Sequence, residues 1–280
     1  MIAEVVPGVF SIRHQVADGK NVVVFGRRGA LAIDSGTHEE EGRVMADLIR
    51  QKGYQPHRLA LTHGHGDHLL GARPLAEGEV YAHAQAPAVI RRQVPGWAER
   101  QKKSAEQIIS ELVWPTITYR DELRIDLGGK TVWFFPTPGH SEDGVSALVE
   151  EDRLLISGDA VVTGIVAAIG DGDSRILEQS LRKLLAMQIE VLIPGHGPEL
   201  HGAGKVAEWI AWEADYLARV RSFVRPRLEK GQEPEAVIEA VGFGKFIGDR
   251  LRADQHGMPG RHRNTVRKIV EEELEALRRS

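Results

Sequence analysis

The sequence predicts a layered α/β protein that carries a helical tail. Three observations support this: a strand-rich region from about residue 9 to 62 with one helix inside it, a second strand-rich region from about 122 to 170, and an almost wholly helical pattern from about Gly204 onward. In the first region VFSI at 9–12, NVVVF at 21–25 and ALAID at 30–34 are short β-rich runs. Gly19, Gly26 and Gly29 punctuate them and predict hairpins. A helix is expected from about His38 to Lys52, with Val44, Leu48 and Ile49 on one face and Gly53 as its stop. RLALT at 58–62 reads as a buried strand running directly into HGHGDH at 63–68, and EVYAH at 79–83 as another. RRQVPGW at 91–97 has loop character. Helical spacing resumes over 97–113, anchored by Trp97, Ile108, Ile109, Leu112 and Val113; the segment is either a lid over a site or surface packing.

In the second region KTVWFFP at 130–136, GVSALVE at 144–150 and RLLISGD at 153–159 are strand-like. Apolar GIVAAIG at 164–170 is either a pocket wall or a buried strand. Ser174 is expected to cap a helix through about Met187, which leads to EVLIP and GHG at 190–197. In the tail, Trp209, Trp212, Tyr216, Val220 and Phe223 mark one face of a long helix as packing anchors. Arg225-Pro226 lies near its end, Gly231 breaks it, and shorter helices follow around Glu235–Val241 and Asn264–Arg279. A domain boundary is placed near 204, giving units of 1–203 and 204–280.

Composition narrows the function. The 280 residues, 42% hydrophobic and 27% charged, are those of a globular chain long enough to bury a sizeable core. No apolar run reaches the roughly 18 residues of a membrane span. MIAEVVPGVF has no basic n-region and does not read as a secretory signal. Absence of cysteine excludes disulfides and thiolate chemistry, and the cytoplasm is the expected setting. The net charge of -4, and 15 Lys/Arg against 13 Asp/Glu within 201–280, argue against a nucleic-acid groove.

The chemistry lies in the histidines. His63, His65 and His68, with Asp67 among them, fall within six residues of turn after an apolar strand. Gly64 and Gly66 let the backbone bend so that alternate side chains converge. Imidazoles and a carboxylate suit Zn, Fe or Mn. His140 in FFPTPGHS, Asp159 in LLISGDA and His196 in VLIPGHG repeat one local form, a ligand-type residue on a glycine turn after an apolar strand. Each is weak alone. Together they make seven ligand-type side chains, enough for two metal ions. His14, His38, His57 and His201 have no partner pattern and read as surface or turn residues; His83 reads as a packing residue. His256, Arg261, His262 and Arg263 in QHGMPGRHRN read as an exposed basic loop, with binding of an anionic substrate as the alternative.

HGHGDH at 63–68, PTPGHS at 136–141, SGDA at 157–160, PGHG at 194–197 and ALAIDSG at 30–36 resemble the metallo-β-lactamase-fold hydrolase superfamily over roughly residues 1–203. The resemblance implies a four-layer αββα sandwich with the metals at one edge and a C-terminal helical appendage. It implies that His63, His65 and His140 hold one metal, that Asp67, His68 and His196 hold the second, and that Asp159 bridges them. Asp34 resembles the aspartate that orients a ligand, a strand-end turn role being the alternative. Aspartate at 159, where true zinc β-lactamases commonly place Cys or Ser, is similar to the glyoxalase II and LACTB-like branch. His65 stands where the flavodiiron branch carries Glu.

Such a site uses two divalent ions, zinc first with iron or manganese also accepted. The metals share a hydroxide that attacks, with Asp67 shuttling its proton and Asp159 fixing the pair. The expected enzyme is a hydrolase of an ester, thioester, lactone or amide-like bond in a small molecule, and the tail aromatics leave a homodimer contact open. The alternatives are a phosphodiesterase or ribonuclease of the same fold and a mononuclear iron persulfide dioxygenase built on His63, His140 and Asp159. A structural or sensory metal module is disfavoured, because structural zinc sites favour four closed ligands and cysteine.

Overall fold

The computed structural model describes residues 1–14, 16–251 and 257–279. Strands β1 Ile2–Val6, β2 Val9–Arg13, β3 Lys20–Gly26, β4 Gly29–Ile33, β5 Arg58–Ala60, β6 Glu79–His83 and β7 Ile117–Tyr119 form one sheet in chain order. Neighbours are antiparallel as far as β4 and parallel from β4 to β7. Strands β8 Leu123–Asp126, β9 Thr131–Pro136, β10 Val145–Val149, β11 Leu154–Ile156, β12 Val191–Ile193 and β13 Leu200–His201 form the second, also in chain order. There only β11 and β12 run parallel. The helices of the first half are α1 Glu39–Gln51, α2 Gly66–Leu69, α3 Ala86–Gln101 and α4 Ala105–Glu111. Those of the second half are α5 Ser174–Leu185, α6 Ala203–Glu229, α7 Pro234–Ala240, α8 Phe243–Phe246 and α9 Met258–Arg279. Parallel pairing needs a crossover, and α1 supplies it between β4 and β5, α5 between β11 and β12.

Strand alternation sets the layers, because successive side chains point to opposite faces. Val22, Val24, Leu31 and Ile33 share one core with Phe134, Ala147, Ile156 and Ile193 of the facing sheet. Their strand neighbours Val23 and Ala32 instead pack with Met45 and Ile49 of α1 and Ile90 of α3. On the other side Phe135, Leu155 and Leu192 pack with Leu181 of α5, Ile210 and Leu217 of α6 and Ile269 of α9. The result is the expected αββα sandwich with a helical C-terminal region. Among the described residues no helix is long and apolar enough to cross a membrane.

Several local expectations need correction. Val44 is exposed, and Met45, Ala46, Leu48 and Ile49 form the buried face of α1. RRQVPGW is helical within α3, despite Pro95, because Val89, Ile90, Val94 and Trp97 make one buried stripe whose packing outweighs the missing N–H. Asp173, not Ser174, caps α5: its carboxylate accepts from the backbone N–H groups of Arg175 and Ile176. Residues 164–170 form no strand; Ile165, Val166, Ala167 and Ile169 are buried in the core beneath the tail helices. His262 is in α9 and buried, with Nδ1 2.9 Å from the Tyr216 hydroxyl and Nε2 2.8 Å from the Val241 carbonyl, so it belongs to no exposed loop. His256 lies outside the described residues.

Candidate metal centre

Strands β4, β5, β9, β11 and β12 end at one edge of the sandwich, and each is followed within a few residues by a site residue. Asp34 follows β4, His63 follows β5, His140 follows β9, Asp159 follows β11 and His196 follows β12. Rigid strand ends hold the side chains while the loops stay open to a substrate. All seven predicted ligands converge there. His63, His65 and His140 bring one nitrogen each within 4.8 Å of one another, as do ligand atoms of Asp67, His68 and His196. Asp159 lies between these trios: Oδ2 is 3.4 Å from Nε2 of both His140 and His196, and Oδ1 is 3.3 Å from Nε2 of His68.

Hydrogen bonds assign which nitrogen of each ring faces the centre. The Thr62 hydroxyl donates to Asp34 at 2.7 Å and lies 3.1 Å from Nδ1 of His63, so that nitrogen donates to Thr62 and Nε2 keeps its lone pair. Nδ1 of His140 donates to the Ala168 carbonyl at 2.6 Å. Nε2 of His65 donates to Asp171 at 3.0 Å, which turns its Nδ1 inward, 2.9 Å from Nε2 of His140. Nδ1 of His68 donates to Asp34 at 2.8 Å. Nε2 of His63 is buried without a hydrogen-bond partner, and Nε2 of His68 and Oδ1 of Asp159 are buried with an ion pair at 3.3 Å between them but no well-aligned hydrogen bond. Orphaned buried donors and acceptors are costly, and convergent ones fit a cation. The donor set, five imidazoles and two carboxylates, fits divalent metals.

The protonation states divide the site. Burial lowers the pKa values of His63 and His140, leaving neutral rings that could hold a metal. Burial acts the same way on His68 and His196, but surrounding carboxylates outweigh it: Asp159, Asp34 and Asp67 raise His68, and Asp159 and Asp67 raise His196 to about 10. Burial alone would raise Asp67, yet His68 and His196 hold its carboxyl well below the usual range, so it is an ionised acceptor.

Several partners carried no sequence signal or were misread. His14 is buried, with ring centroids 6.4 Å from His68 and 5.9 Å from His196, so the surface or turn role expected for it is corrected. Burial first, then those two rings, lower its pKa to about 4. It reaches the site because the β2–β3 turn docks on the His196 loop, through a bridge between Gly19 and His196. Asp143 accepts the Gly64 N–H at 2.8 Å and fixes the HGHGDH turn. Asp171 and Thr62 belong to the same shell. None shows a motif spacing; only the fold brings them in.

The tail reaches the site as well. The indole of Trp209 donates to the Val162 carbonyl at 2.8 Å, and Glu213, one turn along α6, accepts the Val162 N–H at 3.3 Å. Thr265 of α9 donates to the Ala167 carbonyl at 2.7 Å, next to the residue that anchors His140. A cavity of about 880 Å³ opens beside His65, Asp67 and Asp171, and α3 and α4 form one wall of it. The 97–113 segment thus borders the site, while of 164–170 only Gly170 lines the cavity.

The family model of the metallo-beta-lactamase superfamily matches residues 17–196. The chain belongs to this superfamily. It is 23% identical to a linear primary-alkylsulfatase of Pseudomonas sp. over an alignment of 252 positions that covers 76% of this chain and 48% of that protein. It is 28% identical over 163 residues, 58% of its length, to a hydroxyacylglutathione hydrolase of Klebsiella pneumoniae, and covers 55% of that one. The chain therefore spans about half the length of these curated relatives. Its fold is similar to that of a metallo-beta-lactamase family protein from Thermus thermophilus, with a TM-score of 0.67, 17% identity, 99% of this chain and 95% of the other. The tail helices lie within that likeness.

Proposed function

We propose that the chain is a dinuclear metal-dependent hydrolase of an ester, thioester, lactone or amide-like bond in a small molecule. The observation that carries this reading is the position of Asp159, one of whose oxygens lies 3.4 Å from a nitrogen in each trio, Nε2 of His140 and Nε2 of His196. His63, His65 and His140 would hold one ion, Asp67, His68 and His196 the other, with Asp159 between them. Two such ions supply Lewis acidity and a water nucleophile activated at neutral pH, with zinc the first choice and iron or manganese compatible with the same donors. Asp67 borders the cavity and is placed to accept a hydrogen bond from that water and relay its proton. Asp143 and Asp171 hold the HGHGDH turn and the His65 ring in place for this step.

Residues 1–203 are the metal-bearing unit in this reading, and 204–280 cover the second sheet and brace two ligand loops. Tail charges are nearly balanced in sign and several are paired, as Arg221 is with Glu178 at 2.6 Å, and this supports a small molecule rather than nucleic acid. A cysteine-free composition fits the cytoplasm. The test is elemental analysis of protein purified without added metal, followed by a screen of esters, thioesters and lactones. Two ions per chain, lost together with turnover in His63→Ala and Asp159→Ala, are expected. Hydrolysis by metal-free protein would overturn the reading.

A further inference from the structure

The cavity beside the metal centre has a composition of its own. Trp97 lies against the HGHGDH turn: a Cβ on Gly66 would stand 2.9 Å from its indole nitrogen. From there the wall is apolar, formed by Leu70, Ile108, Leu112 and Val113. Two arginines line the same cavity: Arg73 in the turn that follows α2, and Arg100 one helical turn beyond Trp97 on α3. Both are exposed.

The charge balance decides what these arginines are for. Away from the metal ligands and Asp171, the carboxylates in the lining are Glu39 and Glu111. Each is taken by a cation outside the lining, Glu39 by Arg43 at 2.8 Å and Glu111 by Lys103 at 2.5 Å. Asp171 accepts a hydrogen bond from His65. Among the described residues Arg73 has no ion pair or side-chain hydrogen bond, and Arg100 spends only Nε, on the Gly96 carbonyl of its own helix. Two arginines thus line one cavity without a carboxylate partner of their own among the described residues, next to an apolar wall. A planar guanidinium fork matches an oxyanion, and it is most effective where apolar walls thin the water around it.

We infer that Arg73 and Arg100 select an amphiphilic anion, a substrate with an apolar body on the Trp97 wall and a carboxylate-type group remote from the bond cleaved at the metal edge. This inference deepens the hydrolase reading and rests on it for the word substrate; the binding of the anion itself does not depend on metal. An ion contact to an exposed arginine is worth up to about fivefold in affinity, so the two together reach about tenfold or somewhat more. Neutral esters of the same chain length would enter but bind more weakly.

The experiment uses two series of p-nitrophenyl esters of equal chain length, one ending in a methyl group and one in a carboxylate, on the zinc-loaded chain. The carboxylate series should show at least tenfold higher kcat/KM, carried by KM, at its best chain length, and the preference should shrink as salt rises. Arg73→Gln/Arg100→Gln should collapse that ratio, Arg73→Lys/Arg100→Lys should recover part of it, and Arg92→Gln, whose parent pairs with Glu142 outside the cavity, should leave it. In parallel, titration calorimetry follows α,ω-dicarboxylates and the matching diols binding to metal-free protein. If neither ester series turns over while dicarboxylates bind and the double Gln variant loses them, the anion site stands and the hydrolase reading fails. Turnover with no charge preference, a ratio unmoved by the double variant, or equal binding of diol and dicarboxylate would overturn the inference.

Discussion

The carboxylate of Asp34 lies 2.8 Å from Nδ1 of His68 and binds Thr62 twice, through its backbone N–H and its hydroxyl, both at 2.7 Å. Asp34 adopts a left-handed backbone with φ of 57°, which costs about 1–2 kcal/mol for a residue with a side chain. Hydrogen bonds to a charged carboxylate contribute about 1.5–3 kcal/mol each, so three of them outweigh the strain. One residue thereby orients His68 directly and His63 through Thr62. Asp34→Ala should weaken metal binding about ten- to hundredfold, as measured by competition with a chromophoric chelator. An unchanged affinity would reduce Asp34 to a turn residue.

Metal loading should release protons. In metal-free protein His68 and His196 are held protonated by the carboxylates around them, His196 up to about 10. Both must lose a proton to ligate, so about two protons per chain should leave at pH 7, and affinity should fall as pH is lowered. Calorimetric titration of zinc in buffers of different ionisation enthalpy counts them. A count of zero would mean that these two rings are neutral before metal arrives.

At Gly195 the loop that carries His196 packs closely on the loop that carries Asp159. A Cβ there would meet Oδ1 of Asp159 at 2.0 Å and the Gly158 carbonyl carbon at 2.7 Å. Gly195→Ala must therefore displace either the carboxylate or the loop. It should lose at least one metal ion per chain while keeping its far-ultraviolet dichroism, since the clash is confined to the strand ends. Full metal content in this variant would contradict the close packing of the two loops.

Glu213 is buried in α6, with Oε2 lacking a partner, and burial raises its pKa well above the ordinary value. Below about 4.5 the carboxyl is protonated in both folded and unfolded chains and costs nothing extra. Above it only the unfolded chain ionises freely, so this group erodes stability as pH rises towards the folded pKa. Glu213→Gln should raise Tm at pH 8, by about 2–4 °C for each kcal/mol recovered, with the gain vanishing near pH 4. A gain independent of pH would trace to packing instead of ionisation.

Much of this protein was legible in its order of residues. β-rich runs such as NVVVF and KTVWFFP identified strands, because β-branched and aromatic side chains suit a pleated surface, while burial between the layers decided which face each side chain took. Glycine turns placed after apolar strands identified all seven residues that converge at the edge. Both are local properties, set by the backbone within a few residues of each side chain. The expectation of a loop over RRQVPGW failed because local breakers were weighed without the stripe of Val89, Ile90, Val94 and Trp97, which only burial against the first sheet rewards. The 164–170 run was undecidable locally: its apolar side chains face α6 and α9, helices that begin more than thirty residues later. His14, Asp143 and Asp171 reach the site from separate loops, and Arg73 and Arg100 line one cavity from different elements. No spacing encodes such encounters, because they depend on how two sheets and their helices close over one another; the donor chemistry belongs to the motifs, and the shape and charge of the cavity belong to the folded chain.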